Sequence, residues 1–371
     1  MLRNTNNKII AIALLFAFLL LLGGGTSYAL SEPNSSRSAS VLYEPHTGVF
    51  LHERNADVRL PMASTTKIMT ALVAIERGNL ADIVTVDSRA VGVEGSSAYL
   101  RDGTVLSLGD LLYALMLQSA NDAAEAIAYF IAGGIDEFSL LMNQKAEAIG
   151  LENTNFTNPH GLDDENHYTT ARDLAIITAE ALRYPEFAQI TATRVKKIEK
   201  EGFSRTFVNH NKLLSQYEGC IGVKTGFTKR SGRCLVSAAE RDGLRLIAVT
   251  LNEPNDWSVH RRLLDSGFEQ MEAITLVSRD SFGIELPILG ADAPSVALGI
   301  TEDLRLIRKR GDALPRVEID LPRFITAPIK KGDVVGKIRV IEDGVTVLLE
   351  DIVALTDVNQ KRKKGLLDLF L

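Results

Sequence analysis

Pro61-Met-Ala-Ser-Thr-Thr-Lys-Ile-Met-Thr-Ala-Leu-Val-Ala-Ile-Glu-Arg-Gly78 is the stretch whose reading decides the fold. Ile68, Leu72 and Ile75 recur at helical spacing, Pro61 suits a first turn and Gly78 suits a stop. The stretch therefore predicts a helix with Ser64 and Lys67 near its start. Residues three apart share a helix face, which brings the hydroxyl to the amine. A serine is a weak nucleophile until a neighbouring base takes its proton. Lysine is that base only when burial and nearby cations lower its pKa. The apolar run after Lys67 is able to bury it, and the helix N-terminus places positive dipole near Ser64. A solvated lysine beside a surface serine has the same spacing, so the pair needs companions.

Two companions occur downstream, each a triplet found once in the chain. Ser119-Ala120-Asn121 falls at a break between two helical runs. A loop there aims a hydroxyl able to relay a proton and an amide able to bond a substrate amide; simple helix capping is the plainer reading. Lys224-Thr225-Gly226 lies in the apolar strand 222–227. An edge strand beside a cleft binds an extended peptide, Lys224 and Thr225 hold an anionic group, and Gly226 admits a close backbone. The plainer reading is a solvent-facing lysine before a turn glycine. The order Ser-x-x-Lys, Ser-x-Asn, Lys-Thr-Gly is far more specific than any one triplet, and it is the pattern of penicillin-recognising serine enzymes.

The whole chain has 371 residues, 46% hydrophobic and 24% charged, with a net charge of −6. That is long enough for two domains, and the lack of a large basic patch argues against nucleic acid as a partner. No zinc, phosphate-loop or nucleophile-elbow motif is present, so neither metal nor cofactor is expected. Arg3 and Lys8, the apolar run 9–22, Gly23-Gly24-Gly25 and Ser27-Tyr28-Ala29 follow the order of a secretory signal peptide cleaved after Ala29. Residues 30–37 read as a polar leader. The remaining chain is expected outside the cytoplasm.

Along the chain, residues 39–44 and 49–53 flank Pro45-His46-Thr47-Gly48 as a hairpin. Ser107 and Asp110 open a helix at 111–117 with a capping box. Helices are expected to about 132 and over 136–149, and Thr170 with Asp173 caps another before Pro185. Strand-like runs at 219–226, 234–239 and 244–251 precede a helix over 259–271. The fold class is therefore α+β, an antiparallel sheet carrying helices, with first and last strands paired, over residues 38–275. Short runs punctuated by Gly, Pro and Asp predict a small all-β sandwich over residues 276–358.

The three triplets, with Tyr43-Glu-Pro-His-Thr-Gly48, Asn158-Pro-His-Gly-Leu-Asp163, His167-Tyr-Thr-Thr-Ala-Arg-Asp173, Asn209-His-Asn-Lys-Leu-Leu214 and Gly232-Arg-Cys-Leu-Val-Ser-Ala238, resemble the low-molecular-mass penicillin-binding proteins that are serine-type D-alanyl-D-alanine carboxypeptidases. The forms of spore-forming Gram-positive bacteria are similar over nearly everything after residue 37. The resemblance implies that Ser64 forms an acyl-enzyme with the penultimate D-alanine of a peptidoglycan stem peptide, or with a β-lactam. Lys67 is then the proton acceptor, and Ser119 with Lys224 returns a proton to the leaving D-alanine. Asn121, Thr225 and Gly226 bind substrate, and the backbone N–H groups of Ser64 and Phe227 hold the oxyanion, at ~3–4 kcal/mol for each donor. Some relatives carry an arginine where this chain has His210, leaving Arg245 and Arg261 as candidate second cations for the substrate carboxylate. His160, Asp163, His167 and Asp173 are expected to fix loops and cap helices.

A β-lactamase would carry a Glu-x-x-x-Asn loop, which is missing, and an idle wall-binding or penicillin-sensing module would lack Ser64 or Lys67. Two further expectations concern the cysteines and the C-terminal tail. If 219–226 and 234–239 pair around Thr228, Cys220 and Cys234 are expected nearly opposite each other, at a disulfide-permitting distance. The basic run 361–364 and the apolar residues 365–371 suit an anionic membrane surface, with 359–371 as a tail too short to span a bilayer.

Overall fold

The computed structural model describes residues 38–361. The expected signal peptide (1–29), the leader (30–37) and the tail beyond Lys361 lie outside the described residues. Ala39–Glu44 (β1) and Val49–Arg54 (β2) form the expected hairpin. A one-turn 3-10 helix at Ala63–Thr66 leads into Lys67–Arg77 (α1). Ser64 is therefore in a tight turn before the α-helix, and Pro61 precedes it. The Thr65 and Thr66 hydroxyls tighten that turn by donating to the carbonyls of Met62 and Ala63 at 2.6 and 2.8 Å.

Every residue of α1 from Lys67 to Ala74 is buried, although the sequence period marked only one face as apolar. Small residues explain the difference. Ala71 and Ala74 let other helices approach, and the Thr70 hydroxyl satisfies itself on the Pro159 carbonyl at 2.6 Å. α1 is thus the axis around which the rest of the domain packs.

A short ladder of Ile83–Thr85 (β3) and Val105–Ser107 (β4) leads to Leu108–Leu117 (α2), which opens with the Ser107–Asp110 capping box. Asn121–Ala132 (α3), Ile135–Ala148 (α4) and Ala171–Ala181 (α5) come next, the last capped by Thr170 as expected. Pro185–Ala192 (α6) starts on its proline, and Val195–Lys200 (β5) pairs with Phe203–Val208 (β6). These last three elements did not stand out in the sequence. Leu213–Gln216 (α7) then precedes Cys220–Thr228 (β7), Gly232–Arg241 (β8) and Leu244–Leu251 (β9).

The main sheet runs β2-β1-β9-β8-β7 and is antiparallel throughout. The first strand pairs with the last, Val41 opposite Val249. One face, with Val223, Val236, Ala238 and Val249, joins the helical core. The other, with Leu42, Leu246 and Ala248, is covered by Asp256–Gln270 (α8). β7 is the sheet's edge.

Met271–Val277 (β10) pairs with a later strand, and Ile284–Leu289 (β11), Ser295–Gly299 (β12), Leu304–Lys309 (β13), Arg316–Asp320 (β14), Ile325–Thr326 (β15), Val334–Glu342 (β16) and Val345–Ala354 (β17) complete an all-β region. Six of these make a sheet in the order β14-β16-β17-β12-β11-β15, with its own core of Leu298, Ile338, Val340 and Ile352. Backbone pairing continues past 358, to a Gln360–Ala291 bridge and a Lys361 amide on the Gly290 carbonyl.

The cysteines are not opposite each other, contrary to expectation. The hairpin β7–β8 turns between Thr228 and Gly232, so Cys234 faces Gly226 and Cys220 faces Ala239. The two thiols sit at opposite ends of the ladder and are free.

Candidate active site

The Ser64 turn, the break between α2 and α3, and strand β7 meet as the three triplets predict. Lys67 is fully buried and its Nζ donates to Ser64 Oγ at 3.2 Å, Asn121 Oδ1 at 2.7 Å and the His160 carbonyl at 2.6 Å. Among the described residues it makes no ion pair with a carboxylate. Burial, then the charge of Lys224, pushes its pKa well below the ordinary lysine value, while Asp122 opposes the shift. A neutral amine within reach of a serine hydroxyl is what proton abstraction from that hydroxyl needs.

Ser64 rides on a strained support. Ala63 has φ +48°, a region that costs a non-glycine residue ~1–2 kcal/mol. Two neighbours hold it there. Gly161, at φ +88°, lies against the turn so closely that an added Cβ would sit 1.9 Å from the Ala63 carbonyl oxygen. The Thr66 hydroxyl also meets His167 Nε2 at 2.7 Å. Burial lowers the His167 pKa to about 3, which keeps the ring neutral.

The second triplet is equally constrained. Ser119 has φ +62° and is buried. Asn121 opens α3, with Nδ2 donating to the Glu94 carbonyl at 2.5 Å while Oδ1 accepts from Lys67. Both ends of the amide that was expected to meet substrate are thus engaged with the protein. The Lys67 hydrogen bonds run to Ser64, Asn121 and the His160 carbonyl, and none runs to Ser119. Asp122 was missed in the sequence. Its buried carboxylate accepts from Ser97 Oγ at 2.7 Å and from the backbone N–H of Ala98 and Leu100 at 2.9 and 3.0 Å. An acid directly after Asn121 in a helix this apolar was the available signal.

Lys224 is buried, and its Nζ donates to the Thr225 carbonyl at 2.9 Å. Burial lowers its pKa to about 7. Gly226 does permit a close approach, but of the chain's own Ser64 turn. A Cβ there would lie 3.1 Å from the Ser64 nitrogen and 3.2 Å from the Met62 carbonyl. That contact sets β7, including the exposed Phe227, alongside Ser64.

The structure does not bring the two arginines to this cleft. Arg245 pairs with Glu240 at 2.8 Å and lines a separate cavity with Tyr43 and His46, and Arg261 donates to Gln216 at 2.6 Å. His210 instead feels the charge of Lys224, which adds to burial in lowering its pKa. Asp163 accepts from Thr228 Oγ1 at 2.8 Å, and Asp173 accepts from Thr154 Oγ1 at 2.7 Å. His160 contacts Glu125 at 3.4 Å while its carbonyl holds Lys67. These residues, with His167, brace loops, as expected. No group of metal-ligating side chains occurs among the described residues.

Residues 26–255 match the family described as D-alanyl-D-alanine carboxypeptidase, and residues 272–360 match the C-terminal domain of penicillin-binding protein 5. The chain is 33% identical to D-alanyl-D-alanine carboxypeptidase DacF of Bacillus subtilis, over 89% of this chain and 88% of that protein. It is 32% identical to D-alanyl-D-alanine carboxypeptidase DacC of Escherichia coli, over 93% and 90%. The crystal structure of penicillin-binding protein 5 from Haemophilus influenzae superposes with a TM-score of 0.63 at 32% identity, covering 87% of this chain and 97% of that one.

Proposed function

The chain belongs to the D-alanyl-D-alanine carboxypeptidase family, and from that premise we propose that it removes the terminal D-alanine from peptidoglycan stem pentapeptides through an acyl-enzyme on Ser64. The observation that carries this reading is the buried Lys67 amine, 3.2 Å from Ser64 Oγ and without a carboxylate partner among the described residues. Ser64 Oγ attacks the carbonyl carbon of the penultimate D-alanine as Lys67 takes its proton. The oxyanion lies between the N–H groups of Ser64 and Phe227. The C–N bond then breaks as Ser119, beside Lys224, gives its proton to the departing amine and is reprotonated from Lys67, which becomes neutral again. Water adds to the ester as Lys67 takes its proton; the ester C–O bond then breaks, Lys67 returns that proton to Ser64 Oγ, and the shortened peptide leaves.

Lys224 and Thr225 meet the terminal carboxylate, with His210 as the neighbouring group that takes a positive charge at lower pH. Asn121 orients Lys67 and meets the substrate amide by exchanging one of its present partners. Gly226 holds the strand against the Ser64 turn. β-Lactams acylate the same hydroxyl because their strained amide presents the same carbonyl. No metal or cofactor enters any step.

This chemistry belongs outside the cytoplasm, consistent with residues 1–29 acting as an export signal. The catalytic domain spans residues 38–270 and the β domain residues 271–361, since β10 pairs with β13 and backbone pairing runs past 358. Residues beyond the last backbone pairing, with their basic and apolar runs, rest on an anionic membrane surface. Truncation after Lys361 is expected to leave peptide hydrolysis intact and reduce sedimentation with anionic vesicles; equal binding by both proteins would refute the tail assignment.

The central test is mass spectrometry after incubation with a D-Ala-D-Ala-terminated pentapeptide. Loss of one alanine is expected from the wild type and none from Ser64→Ala, which also fails to label with penicillin. Labelling of Ser64→Ala would show that another residue is the nucleophile.

A further inference from the structure

A cavity of about 430 Å³ opens beside the Ser119 break, lined by Ser97, Tyr99, Gln118, Arg205 and Phe207. Three observations suggest that it binds something. Its Tyr99 wall is strained: φ is +58° in a bulky aromatic residue that is 70% exposed. That conformation is disfavoured for a bulky residue and persists only because surroundings impose it. The imposing group is Asp122, whose carboxylate holds Ser97, Ala98 and Leu100, while Ser97 Oγ accepts from the Tyr99 N–H at 2.8 Å.

The same helix terminus therefore fixes both Asn121 at Lys67 and the Tyr99 wall. Gln118 lines the cavity one residue before Ser119. The cavity thus shares its Gln118 and Ser97–Tyr99 walls with the segments that carry Ser119 and are held by Asp122.

Its opposite wall carries Arg205, on the edge of the β5–β6 hairpin. The guanidinium carbon lies 5.7 Å from the Tyr99 ring centroid. Among the described residues Arg205 makes no ion pair; its hydrogen bond is a long one, 3.5 Å, to the Ser204 carbonyl. Other cations of this hairpin are engaged, Lys200 with Asp110, Lys197 with Glu199 and Lys196 over the Tyr113 ring. Arg205 also lies over a ring, that of Tyr99, but among the described residues its N–H donors meet no carboxylate, which leaves them to face a ligand beside an aromatic ring and an amide.

We propose that Tyr99 and Arg205 form a subsite for a carboxylate carried by the substrate peptide outside its D-Ala-D-Ala end. The guanidinium binds the carboxylate through paired N–H donors, and the Tyr99 ring covers the adjoining aliphatic chain. This rests on the peptidase reading above and specifies its substrate as an anionic peptide. In stem peptides such a carboxylate is available from the γ-linked second residue or from a diamino acid at the third.

The test uses the full chain and three synthetic pentapeptides: one with both carboxylates free, one amidated at the second residue and one amidated at the third. KM and kcat are measured for wild type and Arg205→Gln, with penicillin acylation as a control independent of the remote carboxylates. Amidation at one of the two positions is expected to raise the wild-type KM about fivefold with kcat little changed. The position that responds identifies the recognised carboxylate. Arg205→Gln is expected to show the higher KM for every peptide, to lose the discrimination, and to acylate with penicillin at the wild-type rate. Equal wild-type KM for all three peptides, or discrimination that survives Arg205→Gln, would overturn the subsite while leaving the peptidase reading intact. Absence of hydrolysis of any peptide would overturn that reading and the subsite with it.

Discussion

Lys67 and Lys224 come from different elements, a central helix and an edge strand, yet bury their ammonium groups at one cleft, where the charge of Lys224 lowers the pKa of Lys67. The proposed reaction needs the two amines in opposite states, Lys67 neutral to act as a base and Lys224 charged to hold a carboxylate. Arranged this way, each state supports the other: a charged Lys224 helps keep Lys67 deprotonated.

The pH dependence of kcat/KM is set by that pairing. The rate rises with pH as Lys67 loses its proton, from a value well below the ordinary lysine range. It is then expected to fall as Lys224, whose pKa burial lowers to about 7, deprotonates. Measured from pH 5 to 10, the peptide profile is expected to be bell-shaped. Lys224→Arg keeps the charge at all these values, so it is expected to be slower but without the alkaline fall. An alkaline limb unchanged in that variant would remove Lys224 as its source.

Lys67→Arg tests the other partner. Arginine retains charge and hydrogen bonding but stays protonated near neutral pH. General-base loss is expected to lower the penicillin acylation rate by about 10²- to 10⁴-fold. Wild-type acylation by this variant would rule out Lys67 as the proton acceptor.

Gly161→Ala probes how Ser64 is held. The new Cβ would meet the Ala63 carbonyl oxygen at 1.9 Å, in a backbone region that alanine already disfavours. Backbone atoms leave no flexible group to give way, so the Ser64 turn must shift. A misplacement near 1 Å is enough to cost about 100-fold in rate. Acylation is expected to fall by that order even where the circular dichroism spectrum remains native. A native rate would show that the brace is not needed for Ser64 alignment.

Ser64, Lys67 and Lys224 were legible in the sequence because a lysine in an apolar stretch is expensive to bury and so signals a purpose. The pairing of the first and last strands was legible because strands open and close the domain with helices between them. A loop-fixing role for His167 was legible, but its target was not: the link to the Ser64 turn joins residues about a hundred positions apart through one hydroxyl. The β5–β6 hairpin escaped notice because Val-Lys-Lys-Ile-Glu-Lys looks like solvated loop. Only Ile198, Phe203 and Phe207 are buried, and Gly202 at φ +71° was the sole turn signal. The cysteine expectation failed on register, since a turn at 228–232 sends Cys234 to Gly226 and away from Cys220.

His260 ties the stability of the fold to pH. It lies on α8 under the sheet, fully buried, with Nδ1 2.5 Å from Ser237 Oγ and Nε2 2.9 Å from Thr250 Oγ1. Burial lowers its pKa from the ordinary 6.5 to about 3. In the unfolded chain the ring takes up a proton near 6.5, and in the folded chain only near 3. The unfolded state therefore binds more protons throughout that window. The stability contributed by the neutral ring is fully present above pH 6.5 and is lost as pH falls towards 3. One such group adds a slope of up to ~1.4 kcal/mol per pH unit. His260→Gln keeps a side chain able to hydrogen bond but cannot titrate. It is expected to be less stable at pH 7, where its fit is imperfect, and to lose stability more gently than wild type between pH 6 and 4.5. Urea unfolding at several pH values measures both slopes. Identical slopes in the two proteins would mean that His260 does not contribute to the acid sensitivity of the fold.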